Sequence, residues 1–136
     1  MIRSALTLLL LVVLFSPASV AQTPDLYDET VLRTVELTFS QSDWWQQLTA
    51  NYASETYLQA DMTVEGTSYP GVGVRFKGNS SYNSVGNSDK KPFNIDVDAF
   101  NPGQELLGYK KLILNNGYKD PTFCREVLSY HVMRSY

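Results

Sequence analysis

Residues 58–77, LQADMTVEGTSYPGVGVRFK, carry the pattern that decides the fold of this chain. In the second half of the stretch, apolar Val72, Val74 and Phe76 alternate with Gly73, Arg75 and Lys77. Alternation at every second residue is typical of a strand with one buried face, and Glu65-Gly66 between the two halves is a turn signal. The stretch therefore predicts a β-hairpin, with Arg75 and Lys77 on one face of its second strand.

Two further runs with this alternation surround the hairpin, at residues 30–39 and 93–98, and residues 111–115 are a further apolar strand. A short helix is expected after the first of them, capped by Ser40 or Ser42. Residues 78–89 are almost all polar or small and predict a loop. Together these elements predict an α+β fold, an antiparallel sheet with flanking helices.

Residues 123–136 have the apolar spacing of an amphipathic helix. Asp120 and Pro121 are expected to begin it, as an Asx cap and a proline at the first helical position, where its missing N–H costs nothing. Cys124, the single cysteine, forms no internal disulfide and is expected as a small buried residue of this helix. Because the sequence ends inside the helical pattern, without a capping glycine, we expect an incomplete domain.

The first 21 residues have the order of a cleavable signal peptide. Arg3 is followed by an apolar run at residues 8–15, then by Pro17 and by small residues up to Ala21. This run is shorter than the about 20 residues that a membrane-spanning helix needs. We expect cleavage before Gln22, export to the periplasm, surface or medium, and no membrane span afterwards. Residues 22–30 are then a short linker, and residues 31–136 form the domain.

Composition excludes one class of partner. The chain has 11 basic and 14 acidic residues, a net charge of −3, and loss of Arg3 with the signal peptide leaves 10 − 14 = −4. Neither clustered cations nor a basic helix is present, so nucleic acid is not an expected partner. The sequence also contains no zinc-ligand spacing, phosphate-binding P-loop or nucleophile elbow.

The segment between the hairpin and the next strand is the strongest candidate for chemistry. Its cations and small polar residues are Arg75, Lys77, Gly78, Asn79, Ser80, Ser81, Lys90 and Lys91. Small residues let a phosphate approach backbone amides closely, and lysine supplies a point charge. Two alternatives stay open, because such a loop is often only a flexible connection, and Asn79-Ser80-Ser81 also fits the glycosylation sequon.

Three motifs, in order, resemble the CotH family of spore-coat proteins. They are Arg75-Phe76-Lys77-Gly78-Asn79-Ser80-Ser81, Lys90-Lys91-Pro92-Phe93, and LNNGYKDPTFCRE at residues 114–126. The last is the most specific, and the resemblance extends from about residue 31 to residue 136. Members of that family are secreted or surface-exposed atypical protein kinases with a kinase-like fold, and fungal relatives act as host-binding surface proteins.

The resemblance implies the N-terminal part of a kinase-like fold, with ATP and a divalent metal such as magnesium as cofactors. Residues 78–81 would cover the phosphates, Lys91 or Lys90 would contact them, and Glu126 or Arg125 would steady the lysine. Strand alternation favours Lys91, because it shares the inward face with Phe93. A solubilising strand start is the alternative for the two lysines.

The chain departs from the family pattern, because the catalytic and metal-binding aspartates expected of such kinases would follow the last helix. Asp96 and Asp98 lie on the expected solvent face of a strand and Asp120 caps a helix, so no catalytic or metal-binding residue is assigned. His131 is left unassigned as well.

The sequence therefore predicts the N-terminal part of an exported kinase that phosphorylates serine or threonine in secreted or coat proteins, inactive as this chain alone. One alternative is a non-catalytic surface or coat binding module that presents the polar loop with Trp44 and Trp45, one of which packs on the sheet while the other packs at its rim or stacks on a sugar. The other is a decayed gene product with exposed sheet edges.

Overall fold

The computed structural model describes residues 25–136, and the predicted signal peptide at residues 1–21 lies outside them. Within the described residues, five strands form one antiparallel sheet in the order β1-β2-β3-β4-β5, and three helices accompany it, which confirms the predicted α+β class. The elements are β1 Val35–Thr38, α1 Trp44–Ala50, β2 Leu58–Val64, β3 Thr67–Phe76, α2 Ser80–Asn83, β4 Phe93–Asp96, β5 Lys111–Leu114 and α3 Arg125–Arg134. Among residues 25–136, no helix is long and apolar enough to cross a membrane.

The predicted hairpin is present as β2 and β3, with Val64 opposite Thr67 beside a two-residue turn. Glu65 and Gly66 both have positive φ, at 50° and 77°. Two-residue hairpin turns of this kind match the right-handed twist of the strands, and glycine adopts such a φ without a steric penalty. The turn sequence thus fixes the register of the central hairpin.

One face of the sheet forms the core. The side chains that face it include Leu58, Ala60, Met62 and Val64 of β2, Val72, Val74 and Phe76 of β3, Ile95 of β4 and Leu112 of β5. Helix α1 covers this face with Leu48, which has no exposed surface. Trp45 packs edge-on against Phe76, with 4.9 Å between ring centroids, while Trp44 stacks on Phe39 at 4.6 Å. Both tryptophans are half-buried in this aromatic cluster.

The beginning of α1 differs from the prediction that Ser40 or Ser42 caps it. The residue before the helix is Asp43, and no side chain caps the first backbone amides. The Asp43 carboxylate instead accepts a hydrogen bond from Gln47 Nε2 at 2.8 Å, one turn into the helix. The polar segment at residues 78–89 is likewise more ordered than a loop, because it contains the helical turn α2.

Helix α3 begins at Arg125, four residues later than the predicted start at Pro121. The Asp120 carboxylate accepts from the Thr122 amide and closes an Asx turn, and Phe123 has a φ of 58°, which is incompatible with a right-handed helix. The prediction for Cys124 is wrong, since its side chain is exposed just before α3. No side chain of α3 is buried, so the apolar residues of this helix are in contact with solvent.

Asp96 is also placed differently from the prediction, because it is 9% exposed and not on a solvent face. Its cross-strand partner is Gly73, over which Tyr57 and Ala99 pack so closely that a Cβ there would lie 2.7 Å from the Ala99 Cβ. The carboxylate is neutralised by Lys111, whose Nζ lies 3.2 Å from Asp96 Oδ2. This second face of the sheet is therefore partly covered around β4.

Candidate functional site

The ends of β3 and β5 meet the beginning of α3, and a lysine, an asparagine and a glutamate join there. Lys77 directly follows β3, Asn115 directly follows β5, and Glu126 lies in the first turn of α3. Lys77 Nζ donates to Asn115 Oδ1 at 2.7 Å, and Asn115 Nδ2 donates to Glu126 Oε1. One amide side chain thus links the ammonium group to the carboxylate.

The register of the sheet explains why Lys77 and Asn115 meet. Phe93, the first residue of β4, is paired with Phe76 at the end of β3 and with Leu114 at the end of β5. Lys77 and Asn115, the residues that follow these two strands, therefore lie on the two sides of the beginning of β4. The Lys77 amide also donates to Pro92 O at 3.1 Å, which fixes the backbone of the lysine there.

Four of the predicted site residues line one cleft of about 420 Å³, called the lysine cleft here, namely Arg75, Lys77, Gly78 and Asn79. Arg75 pairs with Glu55 at 3.0 Å, and Tyr52 Oη donates to Gly78 O at 2.6 Å. Gly78 has a φ of 78°, and a Cβ on it would lie 2.5 Å from Ser81 Oγ. The positive φ at the turn after Lys77 therefore favours glycine at position 78.

Lys91, the lysine favoured by strand alternation, points into its own loop. Its Nζ donates to Tyr82 O at 3.0 Å and to Gly86 O at 2.6 Å, and it lies 4.1 Å from the centroid of the Tyr82 ring. The alternation of side chains in β4 does not extend to Lys91, because β4 begins at Phe93 and Pro92 lies between them. Lys91 thus holds the loop that contains α2 in a closed conformation.

Lys90, Arg125 and Glu126 are not brought together with Lys91. Lys90 Nζ lies 4.2 Å over the Phe123 ring, and Arg125 donates to Lys119 O at 2.9 Å. Glu126 contacts Asn115 and neither of the two lysines. Ser80 begins α2, and the Ser81 carbonyl is bound by Asn116. The predicted residues therefore divide between the lysine cleft, the loop and the start of α3.

Asn116 is an important residue that the sequence interpretation did not single out. It is buried, and its Nδ2 donates to Ser81 O at 3.0 Å and to Lys90 O at 2.9 Å, while its Oδ1 accepts from the Tyr118 amide at 3.2 Å. It thereby ties both ends of the loop to the end of β5. The signal in the sequence is a polar amide directly after an apolar strand, where a buried hydrogen-bonding role is common.

Asp120 organises the turn between β5 and α3. Its carboxylate accepts from Thr122 Oγ1 at 2.6 Å, from the Thr122 amide at 3.0 Å and from the Arg125 amide at 2.8 Å. The hydrogen bond from the Thr122 hydroxyl, followed by those from the two backbone amides, lowers the pKa of Asp120 from its ordinary value. Asp120 thus serves the helix start even though α3 begins five residues after it.

Acid is expected to loosen this turn. Since the pKa of Asp120 is lower in the folded chain than in the unfolded one, its contribution to stability is complete above the unfolded value of 3.8 and is lost as pH falls through the folded value. The Thr122 and Arg125 amide resonances should therefore shift with a midpoint below pH 3.8 in an NMR titration.

The control is Asp120→Asn, which should abolish that transition. A midpoint at or above the unfolded value would show that the carboxylate gains nothing from its contacts.

Comparisons with known proteins give one match. Residues 74–136 match the family model described as CotH kinase protein, a range that includes Lys77 and the three other predicted residues of the cleft, the loop and α3. No curated protein and no solved structure matches the chain. The resemblance of residues 31–73 to the family stays a prediction, whereas over residues 74–136 the predicted resemblance to the CotH family is confirmed.

Proposed function

We propose that this chain is the phosphate-binding part of an exported CotH-like protein kinase, which transfers a phosphoryl group from ATP to serine or threonine of secreted or surface proteins. The observation that carries the proposal is the link from Lys77 through Asn115 to Glu126, within the part of the chain that matches the CotH family. Protein kinases hold ATP phosphates with a strand lysine that is steadied by a helix glutamate.

Lys77 is the residue to which we assign the phosphate contact, in place of the predicted Lys91. The Lys77 ammonium group has three protons and uses one on Asn115, so it retains donors for a phosphate oxygen. Lys91 already donates to two loop carbonyls, and drawing it toward a ligand would break both contacts. In this assignment Lys91 holds the loop through its two carbonyl contacts, and Lys77 binds the phosphate.

The chemistry of the cleft suits a nucleotide phosphate. Lys77 supplies positive charge at its wall, where Arg75 is paired with Glu55, and the backbone turns sharply at Gly78, which has a φ of 78°. Bound ATP would supply the phosphoryl group for transfer. The residues of this chain would bind and orient the phosphates, with Asn115 and Glu126 fixing the position of the lysine.

The described part of the chain does not supply a group of ligands for the divalent metal. Among residues 25–136, no three histidine, cysteine, aspartate or glutamate side chains are grouped as metal ligands. Asp96 is paired with Lys111 through Oδ2, and Asp120 is bonded to the start of α3. We therefore assign no metal-dependent step to the residues of the described region.

Replacing Lys77 by methionine is expected to weaken the binding of ATP about tenfold, because the charge-assisted contact to a phosphate is lost while the length of the side chain is kept. Isothermal titration calorimetry with the non-transferable analogue AMP-PNP measures this without requiring catalysis. Lys110→Met is the matched control, since Lys110 pairs with Asp98 at 2.8 Å and lies outside the cleft, and it should bind as the unmodified chain does.

Two results would contradict the assignment. If Lys91→Met lost affinity while Lys77→Met kept it, the phosphate contact would belong to Lys91. If the unmodified chain bound no nucleotide, the phosphate site would be wrong, and the non-catalytic binding module would remain.

The proposed export is tested separately, by N-terminal sequencing of the secreted protein, which should begin at Gln22.

A further inference from the structure

The segment at residues 25–33, called the N-terminal strap here, has a defined conformation although it contains no helix or strand. Asp28 Oδ1 accepts from the Thr30 amide at 2.9 Å and from Thr30 Oγ1 at 2.6 Å. Arg33 closes the segment by donating to Asp25 O at 2.6 Å and to Leu26 O at 3.2 Å. Leu26 packs against the hydrophobic core, so the strap is attached to the sheet.

The strap also contacts the last turns of α3, about a hundred residues further along the chain. Glu29 Oε2 lies 2.8 Å from His131 Nδ1, and Glu29 Oε1 accepts from Arg134 Nη1 at 3.3 Å. Arg134 donates to Tyr27 O at 3.3 Å, and its guanidinium lies 5.7 Å from the centroid of the Tyr27 ring. Tyr27 in turn packs edge-on against Tyr109 at 5.1 Å.

These contacts matter because, within residues 25–136, they are the side-chain hydrogen bonds and ion pairs that join this end of α3 to another part of the chain. The helix has ten residues and no buried side chain, and isolated helices shorter than about 12 residues are marginal in water. Its position is therefore set by polar contacts at its two ends. Those are Asn115 with Glu126 and Asp120 with the Arg125 amide at the beginning, and Glu29 with His131 and Arg134 at the end.

We infer that the N-terminal strap is a positioning clamp for α3, with Glu29 as its central residue, and that it controls how Glu126 is presented to Asn115 and Lys77. Its consequence for phosphate binding rests on the proposed function, whereas the clamping of α3 does not. A partner or a modification that pulled the strap away from α3 would release Glu126 and so loosen Lys77. The strap would then act as a regulatory element for the cleft.

Glu29→Gln in the full chain is the test, because it removes the charge that both His131 and Arg134 contact while keeping the size of the side chain. Hydrogen exchange of the α3 amides should become about threefold faster, as expected for the loss of the exposed Glu29–Arg134 ion pair. Glu36→Gln is the matched control, since Glu36 is an exposed glutamate on β1, and it should leave α3 unchanged.

A second readout follows the coupling to the cleft. The side-chain amide resonances of Asn115 should shift in Glu29→Gln and not in Glu36→Gln. Unchanged exchange in α3 would overturn the clamp, and faster exchange with unchanged Asn115 resonances would overturn its control of the cleft. Both measurements are made without nucleotide, so failure to bind ATP would count against the proposed function and leave this inference standing.

Discussion

Replacing Phe76 by alanine should lower the free energy of unfolding by about 4 kcal/mol, the cost typical of removing a fully buried aromatic side chain. Phe76 is 1% exposed and lies where three parts of the molecule meet. Its ring packs against Trp45 of α1 at 4.9 Å, Phe93 of β4 at 5.2 Å and Tyr82 of the loop at 5.6 Å. The substitution leaves a cavity between them, which urea denaturation followed by tryptophan fluorescence will detect.

Phe100→Ala is the control for this prediction, because the same atoms are removed from a side chain that is about half exposed. It should cost less than about 1.5 kcal/mol, since less transfer free energy is lost and no closed cavity is left. Equal losses in the two variants would mean that Phe76 is not the centre of the core.

Replacing Asn116 by alanine should lower the free energy of unfolding by about 3 kcal/mol, because buried polar groups that lose their partners retain the full cost of desolvation. The variant leaves Ser81 O, Lys90 O and the Tyr118 amide without the side chain that binds them. Faster hydrogen exchange should therefore accompany the loss of stability, and it should be concentrated in residues 80–91.

Asn101→Ala provides the comparison, since Asn101 is exposed and its side-chain amide donates to Gln104 Oε1 at 2.8 Å. A change of less than about 0.5 kcal/mol is expected there, as for most surface substitutions. If Asn116→Ala lowered the free energy of unfolding by as little as Asn101→Ala, the loop would be held in place by Lys91 and not by Asn116.

The sheet could be predicted from the sequence because its signals are local. Alternation in β2 and β3 and the Glu65-Gly66 turn specify the hairpin without any knowledge of the rest of the chain. The start of α3 could not be predicted in the same way, because Asp120 fits two local patterns, a helix cap and an Asx turn. A carboxylate before proline is typical of a helix cap, but here it closes an Asx turn with Thr122, and the helix begins only after Phe123.

The residues of the candidate site were largely predicted, but their arrangement was not. Lys77, Lys91 and Glu126 were all expected to matter, yet the choice between the lysines depends on where the loop carbonyls of Tyr82 and Gly86 lie. The contact of Glu29 with α3 joins residues 102 positions apart and has no local signal at all. Interactions of this kind are visible only once the chain is folded.

The order of the strands has a consequence for how the protein folds. Every strand pairs with its neighbour in sequence, from β1 to β5, so each pairing closes only one intervening loop. Small loops lose little entropy on closure, and sheets built from neighbouring strands form faster than sheets that join distant segments. The sheet can therefore grow one strand at a time as the chain is synthesised.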